Sequence, residues 1–169
     1  MHLNTTNSTK QYSLMDRITQ SLQTYLKSAK IRYQTLFNSD TGNKTGNPTS
    51  TCFHVKNSED PGQITDIVID VFPKDSQFFL SAHPRVVISS EGRDKIKALE
   101  TKWNACGLFT RIRVSEEMGV VEDDRYCFSL ILQGISDPNG PSKYVWKRYI
   151  EMLKNDTFEA WNKLVALST

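Results

Sequence analysis

Residues 63–82, QITDIVIDVFPKDSQFFLSA, place apolar side chains at alternate positions on both sides of a short polar break. Alternation with a period of two marks a half-buried strand, because successive side chains leave the backbone on opposite sides. In the first run Ile67, Ile69 and Val71 share one side, while Asp66, Val68 and Asp70 share the other. Pro73, Lys74, Asp75 and Ser76 have the chemistry of a tight turn, so residues 77–82 are expected to return antiparallel to the first run. The chain is therefore committed to an antiparallel sheet with one wet face.

Neighbours for this hairpin are found on both sides of it. Leu14, Ile18, Leu22, Tyr25, Leu26 and Ala29 recur at intervals of three and four after a possible N-cap at Ser13, which predicts an amphipathic helix. From Ile31 the period changes to two, predicting a strand over residues 31–37 and, after a turn-rich loop at 38–50, another over 51–56. With the hairpin these make a four-stranded meander. Residues 86–89 read as a brief extension leading into a helix capped by Ser89 or Ser90. That helix buries Ile96, Leu99, Trp103 and Cys106 and ends at Gly107. Strands are predicted over 108–115, with Leu108, Thr110, Ile112 and Val114 inward, and over 125–133. Ser142 can cap a last helix, within which Asn155, Asp156 and Thr157 are poor helix formers that could bend it. The order α-β-β-β-β-α-β-β-α specifies an α+β fold with an antiparallel sheet.

A length of 169 residues fits one domain, here residues 13–169 behind a flexible tail over 1–12. With 38% hydrophobic and 24% charged residues, disorder along the whole length is excluded. No apolar run reaches the roughly 18 to 20 residues that span a bilayer, so no membrane partner is expected. The net charge of +2 does not by itself call for nucleic acid. The first residues lack the basic start and apolar stretch of a secretory leader. Cys52, Cys106 and Cys127 form no CxxC and no close pair, so free, mostly buried thiols and a cytoplasmic location are expected.

Chemistry-bearing clusters are sparse. Cys52 and His54 share a strand face and could meet one ion, but structural zinc wants four ligands and no second pair has suitable spacing. Asp66 and Asp70 also share a face, where paired carboxylates can do acid/base work or hold Mg²⁺; acids alternating with Ile67, Ile69 and Val71 equally suit the wet side of a sheet. Neither a nucleophile elbow nor a glycine-rich phosphate loop occurs. No catalytic residue, cofactor or metal is therefore expected. Phe109, Arg111 and Arg113 alternate as an outward row that could stack bases and meet phosphates, although acids at 116, 117 and 122–124 surround it. Trp146, Tyr149, Phe158 and Trp161 are dispersed too widely for one narrow helical stripe. One broad core face or a surface for a second subunit or peptide would each account for them.

The segments QITDIVIDVFPKDSQFFLSA, RVVISSEGRDKIKALETKWNACGLFTRIRVSEE and PSKYVWKRYIEMLKNDTFEAWNKL resemble, in order, the central hairpin, the helix with its following strand, and the closing aromatic helix of the YbjN family. More broadly, the pattern resembles the type III secretion chaperone-like fold, over about residues 14–164. The resemblance implies a helix-flanked antiparallel sheet, no active-site constellation, and a bacterial protein that binds a polypeptide, in the secretion chaperones as a homodimer. The chain departs from those chaperones in its slightly basic charge and its longer loop at 38–50. The expectation is a non-enzymatic, chaperone-like module with Trp146, Tyr149, Ile150, Leu153 and Trp161 as partner-binding anchors. The alternative is a nucleic-acid binder using Phe109, Arg111 and Arg113.

Overall fold

The computed structural model describes residues 14–36, 49–72, 77–86, 88–106, 108–116, 126–135 and 140–166. The expected tail over 1–12, the cap at Ser13, the loop over 38–48, the turn at 73–76 and the stop at Gly107 lie outside them. Helix α1 (Leu14–Ser28) precedes strands β1 (Gln34–Leu36), β2 (Thr49–Lys56), β3 (Ile64–Val71) and β4 (Gln77–Pro84). A short 3-10 turn (Ser90–Gly92) opens α2 (Arg93–Ala105), followed by β5 (Arg111–Glu116), β6 (Tyr126–Ile135) and α3 (Lys143–Ala166). The fold is α+β, in the element order read from the sequence.

All six strands form one antiparallel sheet in the order β1-β2-β3-β4-β6-β5. The meander is present, and β6 lies between β4 and β5. Register holds the apolar positions on one face: Phe53 lies opposite Ile67, Ile67 opposite Ala82, Ala82 opposite Leu130, and Leu130 opposite Ile112. This row is buried in the same cluster as Ile18, Leu22 and Leu26 of α1, Ile96 and Trp103 of α2, and Trp146, Ile150 and Leu153 of α3. One layer of helices thus covers one face of the sheet, the arrangement that removes most apolar surface from water.

Several boundaries shift for identifiable reasons. Lys30 adopts a left-handed φ of 57°. Its N–H bonds Lys27 O at 3.1 Å and the Ile31 N–H bonds Leu26 O at 2.9 Å, a Schellman stop in which lysine occupies the usual glycine position. Ile31 and Tyr33 then pack against the core, and pairing begins only at Gln34. The strand expected from residue 108 starts at Arg111; Thr110, inward as expected, donates its hydroxyl to Asp156 of α3 at 2.6 Å. Leu108, expected inside, is 47% exposed. The brief extension at 86–89 is a bridge between Ile88 and Tyr126.

The last helix runs without interruption through Asn155, Asp156 and Thr157. Thr157 is buried and satisfies its hydroxyl on the i−4 carbonyl of Leu153 at 2.6 Å, within the helix, while Asp156 is engaged by Thr110, so neither side chain draws the backbone out of the helix. At its start the Ser142 carbonyl accepts the Trp146 N–H at 3.0 Å, as an N-cap residue does. Trp146 Nε1 donates to Ser21 Oγ at 2.9 Å, and Ser21 in turn donates to Pro141 O, which ties α3 to α1. Gly140, at φ 80°, lets the chain pass this close to α1: a Cβ there would lie 3.3 Å from Ile18 Cα.

The β5 edge of the sheet is guarded. At the β5 edge, Asn104 of α2 donates to Ile112 O and accepts the Ile112 N–H, both at 2.9 Å. Glu100 accepts the Val114 N–H at 3.1 Å. The helix thus pairs backbone groups that would otherwise invite another strand. The opposite edge strand, β1, spans Gln34–Leu36 among the described residues.

Candidate functional site: the open face of the sheet

The second face of the sheet is formed by the alternate side chains and is not covered by any helix among the described residues. Its middle row runs Cys52, Val68, Ser81, Ile131 and Arg111 across β2, β3, β4, β6 and β5. Below it runs His54, Asp66 and His83, and above it Ser50, Asp70, Phe79 and Gln133. Val68, Phe72, Phe79 and Ile131 are half-buried by their neighbours on the face, yet none packs against the core cluster. The rings of Phe72 and Phe79 meet edge-on, centroids 5.3 Å apart at 84°. With His83, Arg113, Cys127 and Ile131 they line a hollow of about 510 Å³. A second hollow of about 490 Å³ lies toward β1, bordered by Tyr33, Cys52, His54, Asp66 and Arg85.

The carboxylates of this face are already engaged. Arg85 grips Asp66 through two bonds of 2.8 Å, Nε to Oδ2 and Nη2 to Oδ1. That grip holds the Asp66 carboxyl below the ordinary aspartate range, against the opposing effect of its partial burial. Ser50 donates to Asp70. Asp66 thus has both oxygens engaged by Arg85, and Asp70 has Oδ1 engaged by Ser50. Cys52 and His54 do share the face, as their spacing predicted, and Asp66 lies opposite His54 in the ladder. Among the described residues no three His, Cys, Asp or Glu side chains converge to hold a metal ion.

The cationic side is different. Arg111 and Arg113 stand exposed on β5, and no carboxylate among the described residues pairs with either. Phe109, just before the strand, is 81% exposed.

The expected helical anchors are placed elsewhere. Trp146, Ile150, Leu153 and Trp161 are buried against the sheet and the other helices, and Tyr149 is half-buried, its ring 5.9 Å from that of Phe78. They are core residues of this chain, because α3 turns a broad face, wide enough for all of them, onto β4 and β6. Buried in this way, Trp146, Ile150, Leu153 and Trp161 offer no exposed surface to a partner. The cysteines are also less buried than expected: Cys52 and Cys127 are half-buried on the open face and Cys106 is exposed.

The open face was hidden in residues read only as strand alternates. Phe72 and Phe79 occupy the wet parity of β3 and β4, as Ile131 does on β6. Large apolar residues at wet positions on three adjacent strands were the available signal, and it becomes visible only once strand order is known.

Comparison with protein-family models, curated proteins and solved structures finds no match for this chain. No described helix is long and apolar enough to cross a membrane.

Proposed function

We propose that this chain is a non-enzymatic, chaperone-like bacterial protein of the YbjN type that takes an extended polypeptide on the open face of its sheet. The observation that carries this reading is the group Val68, Phe72, Phe79 and Ile131, apolar side chains that the fold's own core does not use. Aromatic and aliphatic groups in a shallow, polar-rimmed hollow are the anchors that polypeptide recognition favours. Arg111 and Arg113 at its border, which no carboxylate of the described residues pairs, favour a partner segment bearing acidic residues between apolar ones. A homodimer and a cytoplasmic location belong to the same reading, on the pattern resemblance and the free cysteines.

The test is methyl NMR with synthetic peptides that alternate aromatic and acidic residues. The methyl signals of Val68 and Ile131 should move on titration while those of Ile67 and Leu80, on the covered face, stay still. Phe79→Asp should abolish the response without unfolding the chain. Shifts confined to the covered face, or a response that survives this substitution, would refute the assignment. Sedimentation at micromolar concentration decides the dimer.

A second reading is favoured by one observation, the exposed Phe109 beside two arginines that no carboxylate of the described residues pairs. It makes the chain a nucleic-acid binder through Phe109, Arg111 and Arg113. Its mark is affinity for single-stranded oligonucleotides that falls steeply with salt and loses part of that slope in Arg111→Ala.

A further inference from the structure

The helical side of the molecule contains a cleft that the proposed function does not use. Between α2 and α3 it forms an open groove of about 510 Å³. Helix α2 supplies the buried Leu99 and Trp103 as its floor, and the exposed Leu108 borders it. Ala98 on α2 and Ala166 on α3 line the gap. Both side chains are short, and their size leaves the space open. The walls are mainly carbon, so water inside finds few polar partners and gains little by staying.

The rim is cationic. Lys102 and Lys163 both line the cleft. Lys163 Nζ lies 5.2 Å from the centroid of the Trp103 ring and bonds Glu159 at 2.6 Å. That pair is exposed and one helical turn apart, so the ammonium can be shared with a ligand at small cost. Lys102 forms no ion pair with a carboxylate of the described residues. An apolar groove of this size, bordered by Lys163 and by Lys102, which has no carboxylate partner among the described residues, is complementary to a molecule with a greasy chain and a single anionic head.

The geometry points to this cleft as a binding site for a single-chain amphiphilic carboxylate free in solution, of the medium-chain fatty-acid class. The chain lies along Leu99, Trp103 and Leu108, and the carboxylate accepts from Lys102 and Lys163. The site is on the opposite layer from the open sheet face, so it stands or falls independently of the polypeptide reading.

Calorimetric titration with octanoate, decanoate and dodecanoate, each below its micelle concentration, tests this. One-site binding is expected, tightening roughly fourfold per added methylene as apolar area leaves water. Decanol should bind roughly tenfold more weakly than decanoate, the loss that follows when a charge-assisted contact is removed. The double variant Lys102→Glu/Lys163→Glu, altered only at the surface, should erase decanoate's advantage over decanol. Ala98→Phe should fill the slot and abolish binding of both, with far-UV circular dichroism showing that the chain is still folded. Equal affinity for decanol and decanoate in the parent, absence of saturable binding, or binding untouched by Ala98→Phe would each overturn the proposal. So would binding only to anionic vesicles, which would make this corner a lipid surface instead.

Discussion

Gly134 of β6 lies directly opposite Phe78 of β4, and the ring of Phe78 fills the place where a side chain at 134 would stand. A Cβ built on Gly134 would come within 2.2 Å of Phe78 Cζ. The ring cannot simply swing away, because the tilted rings of Trp146 and Tyr149 pack against it, with centroids 4.8 Å and 5.9 Å away. Gly134→Ala should therefore destabilise the fold by about 2–3 kcal/mol, at the upper end of what overpacking a core costs. Urea denaturation measures it. Phe78→Leu in the same chain should restore part of the loss, and a fully stable Gly134→Ala single variant would refute the packing argument.

Asn104 substitutes for a seventh strand by pairing both backbone groups of Ile112. Replacing it with alanine leaves an N–H and a C=O at a half-covered edge. A loss of about 1–2 kcal/mol is expected, less than for a fully buried pair because water reaches part of the site. The freed edge is also a template for another chain. Asn104→Ala should accordingly show concentration-dependent association by sedimentation beyond that of the parent chain.

Thr65 lies on the covered face of β3, fully buried, with no hydrogen-bond partner for its hydroxyl among the described residues. Valine has the same shape and no polar atom. Thr65→Val should raise stability by about 1 kcal/mol, the desolvation penalty recovered when an unpaired hydroxyl is removed. A decrease in the urea midpoint would mean that the hydroxyl has a partner after all.

Lys30 holds a left-handed conformation that glycine adopts without strain. Part of the gain from glycine is returned as extra freedom in the unfolded chain. Lys30→Gly should still stabilise by about 0.5–1 kcal/mol, while Lys30→Val should cost more than that gain. Thermal melts of the two variants give the comparison.

Period-two and period-3.6 patterning were enough to read the element order, since each stripe fixes which side must be buried. Ile67, Ile69 and Val71 against Asp66 and Asp70 are the clearest case, and the ladder keeps them on opposite faces. Patterning is local, however, and could not say which helical residues face outward once three helices share one sheet. Trp146 and Trp161 read as possible anchors because the helix looked too broadly apolar; the sheet beneath it is wide enough to take that breadth. The open face depends on strand order. Phe79, Ile131 and Arg111 become neighbours only because β6 inserts between β4 and β5, a long-range choice that no window of sequence displays.

Asp156 gives the fold a pH dependence with a definite sign. Burial raises its carboxyl above the ordinary aspartate range; the Thr110 hydroxyl bond opposes this, Glu159 adds to it, and Lys163 works against it. Because the folded chain then holds its proton more tightly than the unfolded one, the native state binds more protons between the ordinary and the raised pKa. Stability attributable to this group therefore falls as pH rises through that window and levels off above it. Asp156→Asn removes the ionisation while its amide oxygen can still accept from Thr110. The variant should gain on the parent as pH rises from below the aspartate range toward neutrality, with the difference constant beyond the window. Urea midpoints of both chains across that range measure the gain. A difference that is flat with pH, or largest in acid, would show that Asp156 ionises as easily in the folded chain as in water.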